Sequence, residues 1–298
     1  VQLGICFIVL VCCGLLTRSA LNIVSRNVGF NRANCLTATL DLERSGYDQK
    51  RATAFESALL GRLQNAPGVA GATLTTHLPM GDWGSGNTQD FSIPGYVPAK
   101  GQEMAVVTDF DGPEFFHVMG IPLLRGRDFA AQDNANAPGV AIVNATMAKR
   151  YWPKGDAVGS AIVVNKQPHR IVGVVHDYAY HDPSKTDPSP VLYLPLAQGA
   201  PGYGYVIVAL RSRTTAAAMR EPLSQAVAAM DGSLPMEQVG SLESVTGELY
   251  ELERIPAELL GVYALSSVLV AMLGLYAVIA YSVTERQREF ALRMALGS

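Results

Sequence analysis

The chain has 298 residues, of which 49% are hydrophobic and 16% charged, and its net charge is −3. No basic stripe is present in the sequence, which argues against a nucleic-acid-binding protein. Beyond the first apolar run there is one cysteine, Cys35, so the sequence provides no disulfide framework.

The first element is the apolar run LGICFIVLVCCGLL at residues 3–16. Two interpretations fit it: the later part of a membrane helix over residues 1–17, or the apolar core of a secretory signal peptide. A signal peptide needs a basic segment before its apolar core, and none is present. The run therefore favours a first transmembrane helix.

A strand–helix–strand pattern follows. Residues 36–43 (LTATLDLE) alternate as a strand does, and residues 68–76 (GVAGATLTT) return to a strand pattern. Between them, apolar residues recur at the spacing of one helix face, at Phe55, Leu59, Leu60 and Leu63. This stretch predicts one β-α-β unit.

Residues from about 80 to 200 are rich in glycine, proline and short strand patterns, which predicts a β-rich subdomain. In DGPEFFHVMG at residues 111–120, we expect Asp111 to cap a short helix and Gly120 to end it. The buried face of that helix would carry Phe115, Phe116 and Met119. Further on, residues 138–153 predict a strand and then a helix capped by Asn144, and residues 169–178 predict another strand.

The strand–helix–strand order returns at the end of this region. Residues 203–212 and 234–242 read as strands, and residues 214–232 between them as a helix. Two β-α-β units separated by an insertion predict a split ferredoxin-like subdomain. The fold class is therefore α+β, with the β-rich subdomain inserted into the ferredoxin-like one.

A second apolar run lies near the end of the chain. Residues 243–258 predict a helix leading towards it, with Pro256 as a kink or a helix start. Residues 259–281 then form 23 positions without a charge. As a helix they would span about 35 Å, enough for a bilayer core of about 30 Å. We expect a second transmembrane helix over residues 257–283.

Arginines follow this run closely, at Arg286, Arg288 and Arg293, which predicts that residues 284–298 are cytoplasmic. If both apolar runs span the membrane, residues 18–256 lie on the extracytoplasmic side. Glu289 and Arg293 stand four residues apart in the order that stabilises a helix by about 0.3–0.5 kcal/mol.

Two functions fit this amphipathic tail. Phe290 and Met294 share one helix face beside the charged residues, which suits docking into the cleft of a partner. The alternative is an interfacial helix that anchors the membrane exit, with its arginines near lipid headgroups. The residues themselves do not decide between these two interpretations.

The sequence gives little indication of catalysis. The sequence contains no Walker A and no G-x-S-x-G pattern, and the glycines of GDWGSGN at residues 81–87 do not precede a helix. The segment HDYAYHD could offer zinc ligands at His176, Asp177, His181 and Asp182. We favour the plainer interpretation, a strand end followed by a polar turn, and expect His77 and His117 to be surface or packing residues.

The tail SVTERQREFALRMALGS, placed after GLYAVIAYS, resembles the MacB/FtsX-like family of ABC transporter permeases. The segments GIPLLRGRDF, VAIVNATMAKRYWP, GDAVGSAI, IVGVV and VLYLPL, in this order, resemble the MacB-type periplasmic core domain. The nearest variety is the duplicated permease of the acidobacterial type. The chain departs from the family at VVHDYAYHD, which is richer in histidine than its relatives.

The resemblance implies a non-catalytic permease component in the bacterial inner membrane, without a cofactor of its own. Residues 18–256 would form its periplasmic core domain. It implies a separate ABC ATPase subunit, a permease dimer or duplicated half, membrane lipids, and a periplasmic or outer-membrane partner. Coupling to the ATPase, for export or for mechanical signalling, would use Glu285, Arg286, Arg288, Glu289 and Arg293.

Two other functions stay open. One is a membrane-tethered binding or sensory domain that is not coupled to an ATPase, with the tail as an anchor. The other is an extracytoplasmic metalloenzyme that uses His176 and His181.

Overall fold

The computed structural model describes residues 11, 14, 15, 28–81, 87–153, 155–180, 189–199 and 204–295. Two compact units share the chain: Asn27–Glu248, and Val1–Arg26 together with Leu249–Ser298. The described strands are β1 (Cys35–Asp41), β2 (Val69–Thr75), β3 (Asn87–Ser92), β4 (Ala105–Asp111), β5 (Leu123–Gly126), β6 (Val140–Asn144), β7 (Ala161–Val164), β8 (Gln167–Val175), β9 (Val191–Pro195), β10 (Tyr205–Ser212) and β11 (Met236–Ser241). The described α-helices are α1 (Gln49–Gln64), α2 (Phe115–Met119), α3 (Ala145–Tyr151), α4 (Arg220–Ala228) and α5 (Leu242–Ala295).

The four-stranded lobe consists of a sheet in the order β11-β1-β10-β2 with helices α1 and α4. Each pair of neighbouring strands is antiparallel. Helix α1 connects β1 to β2, and helix α4 connects β10 to β11, so each connection skips one strand. The two helices pack on the sheet in one apolar core, which confirms the predicted α+β class.

Helix α1 forms where the sequence predicts it. The Asp48 side chain accepts a hydrogen bond from the backbone N–H of Arg51, at 2.7 Å, and so caps the first turn. The face predicted to be apolar is the buried one, at Phe55, Leu59, Leu60 and Leu63.

The barrel lobe is a closed ring of six strands. They follow the order β4-β3-β7-β8-β6-β9, and β9 returns to pair with β4 in parallel. Strand β5 pairs with the last residues of β8, Gly173–Val175, beyond the residues of β8 that pair with β7. Because the ring is closed, each of its six strands pairs along both edges. The side chains of Phe91, Phe110 and Ile162 are buried in its apolar core.

Asn144 caps helix α3, as the sequence predicts. Its side-chain oxygen accepts hydrogen bonds from the backbone N–H groups of Met147 and Val191, both at 3.0 Å. Its side-chain NH2 group donates to the carbonyl oxygen of Ser189 at 2.8 Å. The one side chain therefore starts α3 and also holds β6 beside β9.

The prediction that Asp111 caps helix α2 is wrong. The helix begins after Glu114, which has φ +59° and makes no side-chain capping bond. Asp111 ends strand β4, and its carboxyl group contacts Thr75 instead. Gly120 does end the helix, with φ +67°. The predicted Phe115, Phe116 and Met119 are buried, and so is Val118, which the prediction did not include.

Helix α5 begins at Leu242 and continues through position 256, so Pro256 does not start a helix. Many of its described apolar side chains between Val262 and Val283 are exposed. Among the residues that the structure describes, no helix combines the length and apolar character that a membrane span requires. The predicted first membrane helix, residues 1–17, lies outside the described residues apart from positions 11, 14 and 15.

Candidate functional site

The five predicted coupling residues lie on the last turns of helix α5. Positions 285, 289 and 293 follow each other at four-residue spacing, which places them along one side of the helix. Arg286 is exposed. The side chains of Glu285, Arg288, Glu289 and Arg293 lie outside the described part of the structure, so their coupling role stays a prediction.

In the HDYAYHD segment, the first acid, Asp177, forms hydrogen bonds within the fold. Both carboxylate oxygens of Asp177 are 3.0 Å from Thr146, one accepting from its backbone N–H and the other from its hydroxyl. His181 and Asp182 lie outside the described residues. Within the described ranges, no group of three or more His, Cys, Asp or Glu side chains is placed to hold a metal ion.

The tyrosines of the same segment belong to a buried polar cluster. The ring of Tyr180 stacks on that of His77, with 4.5 Å between their centroids and 18° between their planes. The Tyr180 hydroxyl donates a hydrogen bond to Oδ1 of Asp109. Tyr178 lies beside both Tyr180 and Tyr193.

Two aspartates form the centre of this cluster. Asp109 and Asp111 are 1% and 0% exposed, and because they are two residues apart on β4 they share one face of the strand. Oδ2 of Asp109 is 3.7 Å from Nδ1 of His77. Oδ1 of Asp111 is 2.7 Å from the hydroxyl oxygen of Thr75. Two acids and a histidine are thus buried together.

Burial shifts the protonation of both acids. It raises the pKa of Asp109 to about 7, although the hydrogen bond from Tyr180 acts in the opposite direction. Burial and then the charge of Asp109 raise the pKa of Asp111 well above its ordinary value. The pair therefore retains protons at a pH where exposed aspartates are fully ionised.

The cluster lies where the two lobes meet. Strand β2 of the four-stranded lobe pairs with β4 of the barrel lobe through the residue pair Thr75 and Asp111. On either side of this pair, the N–H of Gly112 donates to Leu74 O at 2.7 Å, and the N–H of Thr76 donates to Phe110 O at 3.0 Å. We call this connection, residues 74–76 with residues 110–112, the seam.

His117 is exposed, in agreement with the prediction that it is a surface or packing residue. His77 is 1% exposed and belongs to the polar cluster, which an isolated histidine does not indicate. The sequence does contain one signal of the cluster. Strand β4 ends in TDFD, and the two-residue spacing of its two acids places both on one face of the strand.

A separate cavity, of about 240 Å³, opens beside the start of helix α1. It is lined by Glu43, Asp48 and Glu56 and by the rings of Tyr47 and Tyr205. Burial raises the pKa of Glu56 to about 7. With three carboxyl groups on its wall, the cavity suits a cationic ligand better than an anionic one.

The family model for the MacB-like periplasmic core domain matches residues 3–226. The chain belongs to this family. The resemblance to MacB/FtsX-like permeases that the sequence motifs carry is thereby confirmed. The match covers strands β1, β2 and β10, helix α1, most of helix α4 and all of the barrel lobe, and it ends before β11. The seam therefore lies inside the MacB-like domain.

Curated relatives include the macrolide export ATP-binding/permease protein MacB of Azoarcus sp. (strain BH72), 30% identical over 183 residues. This alignment covers 59% of the chain and 28% of that relative. The uncharacterized ABC transporter permease YknZ of Bacillus subtilis (strain 168) is 26% identical over 192 residues, which are 62% of the chain and 47% of YknZ. The chain thus spans less than half the length of these relatives.

Among solved structures, the periplasmic region of MacB from Actinobacillus actinomycetemcomitans is similar to the chain with a TM-score of 0.48. The two are 15% identical, and the alignment covers 76% of the chain and 97% of that structure.

Proposed function

We propose that the chain is the permease component of an ABC-type transporter or mechanotransmission complex. In this role, ATP hydrolysis by a separate ATPase subunit moves the MacB-like domain for export or for signalling across the membrane. The proposal rests on the order of three features along the chain. The family match covers residues 3–226, and helix α5 then contains the uncharged residues 259–281 followed by a charged end.

The proposal places the chain in the bacterial inner membrane, with residues 1–17 and 257–283 as membrane helices. Residues 259–281 carry no charge, and apolar side chains described along this stretch are exposed on the isolated chain. A helix that is apolar all around belongs in a membrane or a large core. The order of the β11-β1-β10-β2 sheet supports a split ferredoxin-like assignment, with residues from about 80 to 200 as its insertion.

The start of helix α5 is anchored in the MacB-like domain. It begins immediately after β11, and its first residues Leu242 and Thr246 are buried. The Thr246 hydroxyl donates to the carbonyl oxygen of Leu242 at 2.6 Å. A displacement of the helix by an ATPase would therefore act on β11 and, through β1, on the sheet of the four-stranded lobe.

The test is a charge reversal in the tail, Arg288→Glu with Arg293→Glu, in the membrane-reconstituted chain together with its partner ATPase. We expect stimulation of the ATPase to be lost and membrane insertion to be retained. The matched control reverses two exposed cations of the MacB-like domain, Lys100→Glu with Arg213→Glu, and should leave stimulation unchanged. Full stimulation by the tail variant would refute the coupling role.

The proposed complex also contains membrane lipids, a second permease half and a periplasmic or outer-membrane partner. A second candidate function, a tethered binding domain without an ATPase, is supported by the acidic cavity at Glu43, Asp48 and Glu56. ATPase rates that do not respond to the wild-type chain, combined with saturable binding of an organic cation that Glu56→Gln abolishes, would favour that candidate.

A further inference from the structure

The hydroxyl group of Thr75 has one proton but lies within hydrogen-bonding distance of two oxygen atoms and one backbone N–H group. Its oxygen is 2.8 Å from the carbonyl oxygen of His77, 3.1 Å from the backbone nitrogen of His77, and 2.7 Å from Oδ1 of Asp111. A hydroxyl group has one proton to donate and can accept two. The N–H of His77 can only donate and the carbonyl oxygen can only accept. The single proton of Thr75 therefore cannot serve both the carbonyl oxygen of His77 and Oδ1 of an ionised Asp111.

When the Thr75 proton serves the carbonyl oxygen of His77, Asp111 has to supply the proton of its own contact with Thr75. An ionised Oδ1 at 2.7 Å would face the lone pairs of the hydroxyl oxygen, since a carboxylate can only accept. A protonated carboxyl group donates there and completes the bonding of Thr75.

The surroundings of Asp111 also favour its neutral form. Its Oδ2 has no hydrogen-bond partner among the described residues. The titratable groups around the pair are Asp109 on the same strand, and His77, Asp128, Tyr178, Tyr180 and Tyr193 from other segments. In the described part of the chain, neither acid forms an ion pair with a lysine or arginine. A buried carboxylate without such a partner is strongly disfavoured.

Asp109 differs from Asp111 in its partners. It accepts a hydrogen bond from Tyr180 and lies beside His77. Both neighbours can stabilise an ionised Asp109, Tyr180 as a hydrogen-bond donor and His77 when it is protonated. The charge of an ionised Asp109 on the same strand face disfavours ionisation of Asp111 as well.

We propose that Asp111 is a proton-binding site in the seam, and that loss of its proton weakens the connection between the two lobes. The neutral acid donates to Thr75, its partner in the residue pair between β2 and β4. Once Asp111 is ionised, the one Thr75 proton can serve either Asp111 or the carbonyl oxygen of His77 but not both, and two negative charges face the same side of β4. The inference does not depend on the transport role, because it concerns the MacB-like domain alone.

The first test measures the proton itself. The full 298-residue chain, labelled with 13C at the aspartate carboxyl carbons, is titrated by NMR in lipid nanodiscs, and Asp111→Asn assigns the signal. We expect the titration midpoint of the Asp111 carboxyl group to lie well above the ordinary value for aspartate. A midpoint near the ordinary value of about 4 would overturn the proposal.

The second test measures the seam. Amide hydrogen exchange is followed for the N–H groups of Thr76 and Gly112 between pH 6 and pH 9, corrected for intrinsic exchange. In the wild type we expect the protection of these two amides to fall as the pH rises above the titration midpoint of Asp111. Release of one proton limits this fall to about tenfold per pH unit. Asp111→Asn, whose amide can donate to Thr75 as the neutral acid does, should keep its protection.

The control is Asp90→Asn, an aspartate exposed on strand β3, which should follow the wild type. If Asp111→Asn loses protection with pH as the wild type does, Asp111 is not the proton-binding group. Loss of ATPase coupling in the tail variant leaves these measurements unchanged, so failure of the proposed function and failure of this inference can be told apart.

Discussion

Thr75 and Asp111 form the residue pair that registers strand β2 against strand β4, and their side chains are 2.7 Å apart. The pairing is short, while β10 pairs with β1 over seven positions. The lobes are therefore connected at the seam by few backbone hydrogen bonds, and the side chains around them contribute a larger share of its stability. Changes at single residues there should be measurable.

We predict that Thr75→Val lowers the free energy of unfolding by about 1–3 kcal/mol, since it leaves the buried carboxyl group of Asp111 without its partner. Urea denaturation measures this loss. Thr88→Val on β3 is the matched control, because Thr88 is exposed on a strand and should change stability by less than about 0.5 kcal/mol. Equal losses in the two variants would contradict the role given to the Thr75 hydroxyl.

We predict that the Asp109–Asp111 pair makes the protein less stable as the pH rises from about 4 to about 7. The folded protein keeps protons on these raised-pKa acids that the unfolded chain has already released, so stability falls with pH in this window. The slope is at most about 1.4 kcal/mol per pH unit for each proton.

Urea denaturation at pH 5, 6, 7 and 8 measures this effect as the difference between the wild type and the double variant Asp109→Asn with Asp111→Asn. The double variant removes the contribution of the pair and keeps those of other groups, such as Glu56, whose pKa burial also raises. The same slope in both proteins would refute the prediction.

Two arginines of the GIPLLRGRDF segment should differ in their effect on stability. Arg127 forms a two-bond contact with the buried carboxylate of Asp133, at 2.7 and 2.8 Å. Burial alone would raise the pKa of Asp133, but the hydrogen bonds from Arg127 and from the N–H of Ala130 lower it. Arg127→Ala leaves this charge unpaired, and we expect a loss of about 2 kcal/mol or more.

Arg125 is the control for this comparison. It pairs with Asp156 at 2.8 Å, but both side chains are exposed. Arg125→Ala should change the free energy of unfolding by no more than about 1 kcal/mol. Thermal or urea unfolding of the two variants decides the matter, and a larger effect at Arg125 would show that burial is not the deciding factor.

Gly126, between these arginines, should not tolerate a side chain. It has φ +77°, and a Cβ atom there would collide with the carbonyl oxygen of Val172 on the neighbouring strand. Gly95 has a similar φ of +81° but nothing within 4 Å. We expect Gly95→Ala to cost about 1–2 kcal/mol of unfolding free energy and Gly126→Ala at least about 2 kcal/mol more. Equal costs would mean that the backbone angle alone determines the need for glycine.

The sequence determines the local elements because their signals lie within a few residues. The apolar spacing of Phe55 to Leu63 predicts the buried face of α1, and Asn144 and Gly120 mark a helix start and a helix end. The ordered motifs also identify the family, which the match over residues 3–226 confirms. Coupling through Arg288 and Arg293 stays a prediction.

Only the tertiary structure decides how distant segments meet. Asp111 is a plausible helix cap by its position in the sequence, but its partner Thr75 is 36 residues away. Tyr180 and Asp109 are 71 residues apart, and closure of the barrel depends on the pairing of β4 with β9. The protonation of a carboxyl group depends on burial and on the charges around it, so the chemistry of the seam follows from contacts that no local pattern specifies.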